Sequence, residues 1–425
     1  TKRRKTLEGG TRGRHYEGSS VSEGFSASAS SGKGGGERKN KSTKKPTQRA
    51  SSSAERDDSV GHFEGGAGTI VADRYKIIKD VGLGTFGRVV ECLDLQPQQQ
   101  QRRKRRFSSS PRQQQHHPKD VYVDNHNQHK SVAIKIVRNV KRYYESALIE
   151  ADIVKDVNKR ERARGKSLCA LMLNCFSLPT GHYCLVFECL GRSLYDFLKS
   201  HDYRPFPLYC VRDFAHQLLD ALDFLHSFGL IHTDLKPENI LLVSNEEVMV
   251  RSWDGTQSVP ASTKIKVIDF GGATYDHEKK SSVVNTRQYR APEVILSLGW
   301  SMPSDLWSAG CIIAELYMGE LLFATHDNAE HLALMERAIG PFPHDMLRRS
   351  PSSMVDRTFR SNGLHRMGSI LSSSSVSHVK KMGTLESLVL NHDRHSGLAS
   401  LLRSLLVIDP ECRATAADAL KLLFF

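Results

Sequence analysis

The side chains best suited to do chemistry lie in "HTDLKPENILL", residues 232–242. Asp234 can accept the proton of a substrate hydroxyl, Lys236 can steady a phosphoryl group in transit, and Asn239 can hold a magnesium ion. About thirty residues on, "IDFGG" supplies Asp269, a carboxylate able to hold a metal that bridges β- and γ-phosphates. Phosphoryl transfer needs positioning and charge neutralisation rather than a protein nucleophile, and these four groups supply both.

A nucleotide donor must also be held, and the first third of the chain offers the parts. "VGLGTFGRV", residues 81–89, places Gly82, Gly84 and Gly87 at G-x-G-x-x-G spacing among Val81, Leu83, Thr85, Phe86, Arg88 and Val89. A dinucleotide site has the same glycines but needs a helix directly after them. Here Arg88-Val89-Val90 continue as a strand, so the turn reads as a hairpin flap over phosphates. "VAIK" puts Lys135 on an apolar strand within reach of the α- and β-phosphates, where its charge needs a partner. Glu150 in "SALIEADIV" is the expected partner, on a helix over 142–157 whose face is set by Leu148, Ile149 and Ile153. Glu145 is the rival.

The elements that carry these groups follow from periodicity. "RYKIIKDVG", "RVVECLDL" and "SVAIKIV" read as three strands, and "NCFSLPTGHYCLVFE" as a hairpin turning at Pro179-Thr180-Gly181. Past Ser193 the pattern is mainly helical, interrupted by loops near 232–243 and 268–293. The fold class predicted is α+β: a small β-rich lobe over 75–188 with one main helix, then a larger helical lobe over 193–425. Two segments fall outside this plan. Residues 1–70, rich in Ser, Gly, Lys and Arg, have too few apolar side chains to offset the cost of ordering. Residues 96–130, with "QPQQQQRRKRRFSSSPRQQQHH", are a low-complexity insert. Residues 343–395 are Ser-rich and poorly periodic, so mobility is expected there.

Charge follows the same division. Of the net +13, residues 1–70 hold +6 (14 Lys/Arg against 8 Asp/Glu) and residues 96–130 another +6 (8 against 2). The remaining body is close to neutral. No aromatic residues interleave the basic runs as stacking platforms, which argues against direct nucleic-acid binding. "KRRK" at Lys2 and "RRKRR" at Arg102 fit nuclear import signals, beside the plainer reading as solvated charge. The eight cysteines show no CxxC pairing, so free thiols in a reducing compartment are expected and a zinc site is not. No apolar run is long enough for a membrane span and no secretory signal is evident.

"EHLALMERAIGP", residues 330–341, reads as a capped helix: Asp327 as N-cap, Glu330 completing a capping box, and Gly340-Pro341 as the stop. Leu332, Met335 and Ile339 share one face. His331, Glu336 and Arg337 have no evident physical role in that reading.

Taken in order, the glycine flap, strand lysine, HxDxKxxN, DFG and APE (Ala291 to Glu293) resemble the eukaryotic protein kinase domain across about residues 75–425. "EHLALMER" differs by one letter from the signature of the LAMMER (CDC-like) kinases of the CMGC group, with Leu334 where that family has methionine. "HTDLKPENIL", "DFGGATYD", "TRQYRAPEVIL" and "FECLGRSLYDFL" are similar to the same family. The resemblance implies a dual-specificity kinase using ATP and Mg2+, autophosphorylating on Tyr as well as Ser/Thr. It implies Arg/Ser-rich splicing factors as substrates, residence in the nucleus and a monomeric enzyme. Alternatives are a CMGC kinase with other substrates, or a pseudokinase scaffold, although Lys135, Asp234 and Asp269 are all kept. The adenine is expected between Val89 and Ala133 above and Leu241 below, bonded to backbone near Glu188 and Leu190, with Phe187 as gatekeeper. Resemblance also implies a Glu293–Arg413 pair, Asp305 as a brace for the catalytic loop, and a family insert over 243–264. Thr233 stands where most kinases have arginine, and Gly272 where serine is more usual. An arginine there would collect an activation-loop phosphate and threonine cannot, so the loop over 271–290 is expected to work unphosphorylated. The "RRKRRFSSSPR" run is either an autophosphorylation site or a nuclear address, against the plain reading as a solvated loop.

Overall fold

The computed structural model describes residues 61–95, 130–252, 255–389, 395–422 and 424. The tail over 1–60 and nearly all of the 96–130 insert, on which several expectations fall, lie outside the described residues.

The upper lobe is a six-stranded antiparallel sheet in the order β1-β2-β3-β4-β6-β5. Its strands are β1 (Ile70–Val71), β2 (Tyr75–Gly84), β3 (Gly87–Asp94), β4 (Ser131–Val137), β5 (Met172–Ser177) and β6 (Tyr183–Glu188). Successive side chains point to opposite faces of a strand. On β4, Val132, Ile134 and Ile136 therefore enter a core with Tyr75, Ile77, Val90, Cys92 and Val186. Lys135 falls on the other face, the side that helix α1 (Lys141–Arg164) covers through Ala147 and Ala151 against Val137 and Leu185. Composition placed residues 61–70 in the tail, yet they pack on this lobe. Ile70 pairs with Lys76 in the sheet, and the Asn139 N–H donates to the Gly61 carbonyl at 2.7 Å.

Helix α1 departs from its sequence reading in two ways. Leu148 and Ile149 do not set its inner face, as they are exposed, whereas Ile153 does lie inward; the buried residues are Ala147, Glu150, Ala151, Ile153, Val154, Val157, Asn158 and Glu161. The helix also runs on past Val157, because Asn158 and Glu161 serve as polar anchors. Asn158 accepts the Met172 N–H at 2.8 Å, and Glu161 accepts those of Leu168 and Cys169 at 2.6 and 2.8 Å. Gly165, at φ +66°, ends it in the left-handed region that glycine adopts without strain.

The lower lobe begins with α2 (Leu194–Ser200) and α3 (Leu208–His226). Short strands follow: β7 (Leu230–Ile231), β8 (Ile240–Leu242), β9 (Glu247–Ser252), β10 (Gly255–Pro260), β11 (Ile265–Val267) and β12 (Thr274–Tyr275). β8 pairs with β11 and β7 with β12, so two ladders fix the loops on either side of the site. Within 243–264, β9 and β10 pair antiparallel from Glu247 opposite Pro260 to Ser252 opposite Gly255. Next come α4 (Pro292–Ile295), α5 (Pro303–Met318) and α6 (Asn328–Ile339). α5 is buried on all sides from Ser304 to Leu316, which makes it the axis of the lobe.

Residues 343–389, within the span expected to be mobile, carry α7 (His344–Arg349), α8 (Ser352–Thr358), α9 (Met367–Ile370), α10 (Ser373–Lys381) and α11 (Leu385–Leu388). These short helices rest on α6 through the letters that periodicity left unexplained. Glu336 accepts the His365 N–H at 2.8 Å, and Arg337 donates to the Met382 carbonyl at 3.2 Å. Asp327 does cap α6, accepting the Glu330 N–H at 2.8 Å, but the reciprocal half of the capping box is absent. The Glu330 carboxylate turns to α10 instead, accepting from Ser375 at 2.7 Å and meeting His378 Nδ1 at 2.5 Å. Helices α12 (Ser396–Leu405) and α13 (Ala416–Ala419) complete the lobe. All eight cysteines are free.

Candidate active site

The flap forms as expected: β2 and β3 pair Gly82 with Val89 and Gly84 with Gly87, leaving Thr85 and Phe86 at the tip. Val81, Leu83 and Phe86 are exposed there. The three glycines have different reasons. A Cβ on Gly87 would stand 2.3 Å from the Ile136 carbonyl, so packing requires that glycine. Cβ atoms at Gly82 and Gly84 would meet nothing closer than 4.0 Å, so those two leave open backbone facing outward. The Arg88 guanidinium pairs with Asp80 and donates to the Gly65 carbonyl at 2.5 Å, so it clamps the flap to residues 61–68.

Beneath the flap, Val89 lies opposite Lys135 and Ala133 opposite Phe187 in adjacent ladders, all half-buried. The Glu188 N–H donates to the Leu171 carbonyl at 3.0 Å, so that amide already has a partner in the strand-to-hinge turn. Its carboxylate accepts the Leu171 N–H at 2.8 Å and pairs with buried Lys266 of β11. Leu190 is half-buried beyond it, and Leu241 lies on β8 opposite Lys266.

Lys135 Nζ lies 2.8 and 2.9 Å from the two Glu150 oxygens and 3.0 Å from Asp269 Oδ1. Glu145, the rival, is at the helix surface near Lys141 at 3.9 Å. Burial alone would push the Lys135 ammonium toward neutrality, but the Glu150 and Asp269 carboxylates more than offset it and raise its pKa. Burial would raise Asp269 in turn; the Lys135 ammonium overrides that and holds it below the usual carboxylate range.

The catalytic loop hangs between β7 and β8. Asp305, fully buried on α5, accepts the N–H groups of His232 and Thr233 at 2.8 and 3.0 Å. His232 Nε2 donates to the Ile268 carbonyl at 3.0 Å while its Nδ1 accepts the Asp234 N–H at 3.4 Å, which fixes the tautomer. Thr233 and Asp269 hold φ of +68° and +64°, conformations that non-glycine residues keep only when neighbours impose them. For Thr233 the neighbours are Asp305, the Gly272 carbonyl 2.8 Å from its hydroxyl, and the Asn285 N–H at 2.9 Å.

Asp234 Oδ2 accepts from Lys236 Nζ at 2.9 Å, and Oδ1 from the Thr286 hydroxyl and N–H at 2.7 and 3.1 Å. Lys236 also reaches Thr286 Oγ1 at 3.2 Å. Burial would lower the Lys236 pKa, and the Asp234 carboxylate reverses this, so it remains a cation. The Asn239 amide donates to the Asp234 carbonyl at 2.9 Å, leaving its own carbonyl oxygen as an acceptor. Asn239 and Asp269 thus present hard oxygen ligands of the kind magnesium takes, two from protein with the remaining positions left to phosphate and water. Thr286 was missed from sequence: it lies 52 residues from Asp234, and no spacing connects them. Below the site, Arg413 forms a bidentate pair with Glu293 at 2.8 and 2.9 Å, both buried.

A glycine hairpin over a lysine–glutamate pair, above an aspartate with lysine and asparagine close by, defines a protein kinase. Residues 75–425 match the protein kinase domain family. The serine/threonine-protein kinase AFC2 of Arabidopsis thaliana is 41% identical over 379 residues, 87% of this chain and 81% of that protein. The dual specificity protein kinase CLK2 of Homo sapiens is 39% identical over 373 residues, 87% of this chain and 67% of that one. For the dual specificity protein kinase lkh1 of Schizosaccharomyces pombe the identity is 37%, over 87% of this chain and 49% of that one. A crystal structure of a kinase domain aligns with a TM-score of 0.70 at 36% identity, covering 86% of this chain and 98% of that chain. The chain belongs to the protein kinase family, in its LAMMER or CDC-like branch.

Proposed function

We propose that this kinase transfers the γ-phosphoryl group of Mg-ATP to Ser and Thr of Arg/Ser-rich splicing factors, and to Tyr on itself, acting in the nucleus as a monomer. The flap over 81–89 covers the phosphates, and Lys135, held by Glu150, binds the α- and β-phosphates. Asn239 and Asp269 hold magnesium, which when bound neutralises charge developing on the transferring group. The adenine ring lies among Val89, Ala133, Leu241 and Phe187, with the backbone from Glu188 to Leu190 as its polar edge.

Asp234 accepts the hydrogen bond of the substrate hydroxyl and aims its oxygen at the γ-phosphorus. Thr286 and Lys236 keep the carboxylate from rotating. Lys236 remains charged and offsets the negative charge of the group in transit. The observation that carries this reading is the arrangement at Asp234, whose two oxygens are each fixed by a separate donor.

An arginine-rich substrate is favoured by Glu238. The residue is exposed on the catalytic loop, one position before Asn239, where Asp234 and Asp196 add like charge around its carboxylate. A substrate guanidinium near the acceptor hydroxyl would relieve that crowding and gain a charge-assisted bond. The test is a degenerate peptide library with Mg-ATP. Enrichment of Arg beside Ser supports the assignment; a preference indifferent to Arg overturns the splicing-factor substrate while leaving the kinase reading in place.

A further inference from the structure

Tyr275 connects the two halves of the active site. Its backbone lies on β12 opposite Leu230 of β7, and β7 runs directly into the catalytic loop. Its hydroxyl donates to Asp156 Oδ2 at 3.0 Å. Asp156 lies on α1 less than two turns beyond Glu150, the residue that holds Lys135. The same Asp156 oxygen accepts Arg160 Nε at 2.7 Å, and the Arg160 guanidinium covers the Phe228 ring at 4.5 Å. Burial, and then the bond to Asp156, push the phenol up to about 12, so Tyr275 remains a donor at neutral pH.

We propose that Tyr275 is a positioning residue: through Asp156 it fixes α1 to the catalytic-loop strand and keeps Glu150 on Lys135. The observations behind it are independent of loop phosphorylation. Tyr275 is anchored by backbone pairing at one end and by a carboxylate at the other, and α1 exposes Leu148 and Ile149 in the turn before Glu150 and Asp156. Losing the hydroxyl leaves the strand in place but frees the middle of the helix to shift. The inference rests on the role given above to the Lys135–Glu150 pair.

The experiment uses the full chain. Tyr275→Phe and Asp156→Ala are each expected to lower kcat/KM for ATP about three- to tenfold, the worth of one partly exposed hydrogen bond. The KM for peptide substrate should not move, and the double variant should lose no more than either single one. Asp156→Asn, which keeps an acceptor oxygen, should retain more activity than Asp156→Ala. Hydrogen exchange in residues 147–154 should rise in Tyr275→Phe while the melting temperature holds. Additive losses, or full activity in Tyr275→Phe while Glu150→Ala is crippled, overturn the proposal and leave the Lys135–Glu150 reading standing. Full activity in Glu150→Ala overturns both.

Discussion

The hydroxyl of Thr233 donates to the carbonyl of Gly272 at 2.8 Å, joining the catalytic loop to the segment after Asp269 by a neutral bond. A Cβ at position 272 would stand 2.8 Å from that hydroxyl, so the glycine gives the threonine room. Further bonds within the protein hold the loop over 271–290. Arg290 donates to the carbonyls of Val284 and Asn285 at 2.9 Å each, and Trp300 Nε1 to that of Ser281 at 2.8 Å. Nothing in this set calls for a phosphate. Protein made in bacteria and treated with phosphatase is therefore expected to be fully active on peptide. An inert product that regains turnover on loop phosphorylation would contradict this.

Asp234→Asn keeps an oxygen and the shape of the side chain but removes the charge that draws the substrate proton. Phosphoryl transfer should fall by about 10²–10⁴-fold. Nucleotide affinity should stay near that of the parent, because Lys135, Asn239 and Asp269 are untouched. A radiolabel transfer assay beside calorimetric nucleotide binding separates the two. Turnover within a factor of a few of the parent would remove Asp234 from its assigned role.

Much of this site is legible in the sequence because its parts are local. The glycines, Lys135, the 232–242 loop and Asp269 each bring their own strand or turn, and alternation along β4 alone puts Lys135 opposite the core. What escapes is whatever tertiary contact decides. Asn158 and Glu161 extend α1 because their side chains meet backbone seven or more residues away, a use that apolar periodicity ignores. The helices over 343–389 are short and weakly patterned, and Glu336 and Arg337 give them a place to rest. The partners of Asp234 and Tyr275, Thr286 and Asp156, lie 52 and 119 residues away.

Glu293 and Arg413, 120 residues apart, meet in the interior with the Arg413 guanidinium also over Trp307 at 5.2 Å. Removing one partner leaves the other charge buried. Arg413→Met should cost about 3–5 kcal/mol of stability, because the Glu293 carboxylate then has no counter-ion in a dry site. The midpoint of chemical denaturation reads this directly. A shift no larger than that of a surface substitution would show that the pair is not a structural clamp.

His331 contributes to the slope of stability on the acid side, as does His365, whose buried ring is pulled down to about 4. The ring is fully buried against Phe323 at 5.4 Å, and neither nitrogen has a hydrogen-bond partner among the described residues. Burial first, then the charges of Arg290 and Arg287, pull its pKa down to about 3. The folded protein thus keeps His331 neutral, while the unfolded chain takes up a proton near the ordinary value of about 6.5. Below that pH the unfolded state binds one more proton than the folded one, so stability falls as pH falls, until about pH 3. The contribution approaches about 1.4 kcal/mol per pH unit. His331→Leu removes the titrating group and two unpartnered nitrogens from the core, so at neutral pH it should be neutral or stabilising. Between pH 7 and 5 the variant should lose less stability than the parent in denaturant titrations. Equal losses in the two proteins would mean that His331 does not contribute to the acid limb, and that a charged or solvated imidazole is present in the fold.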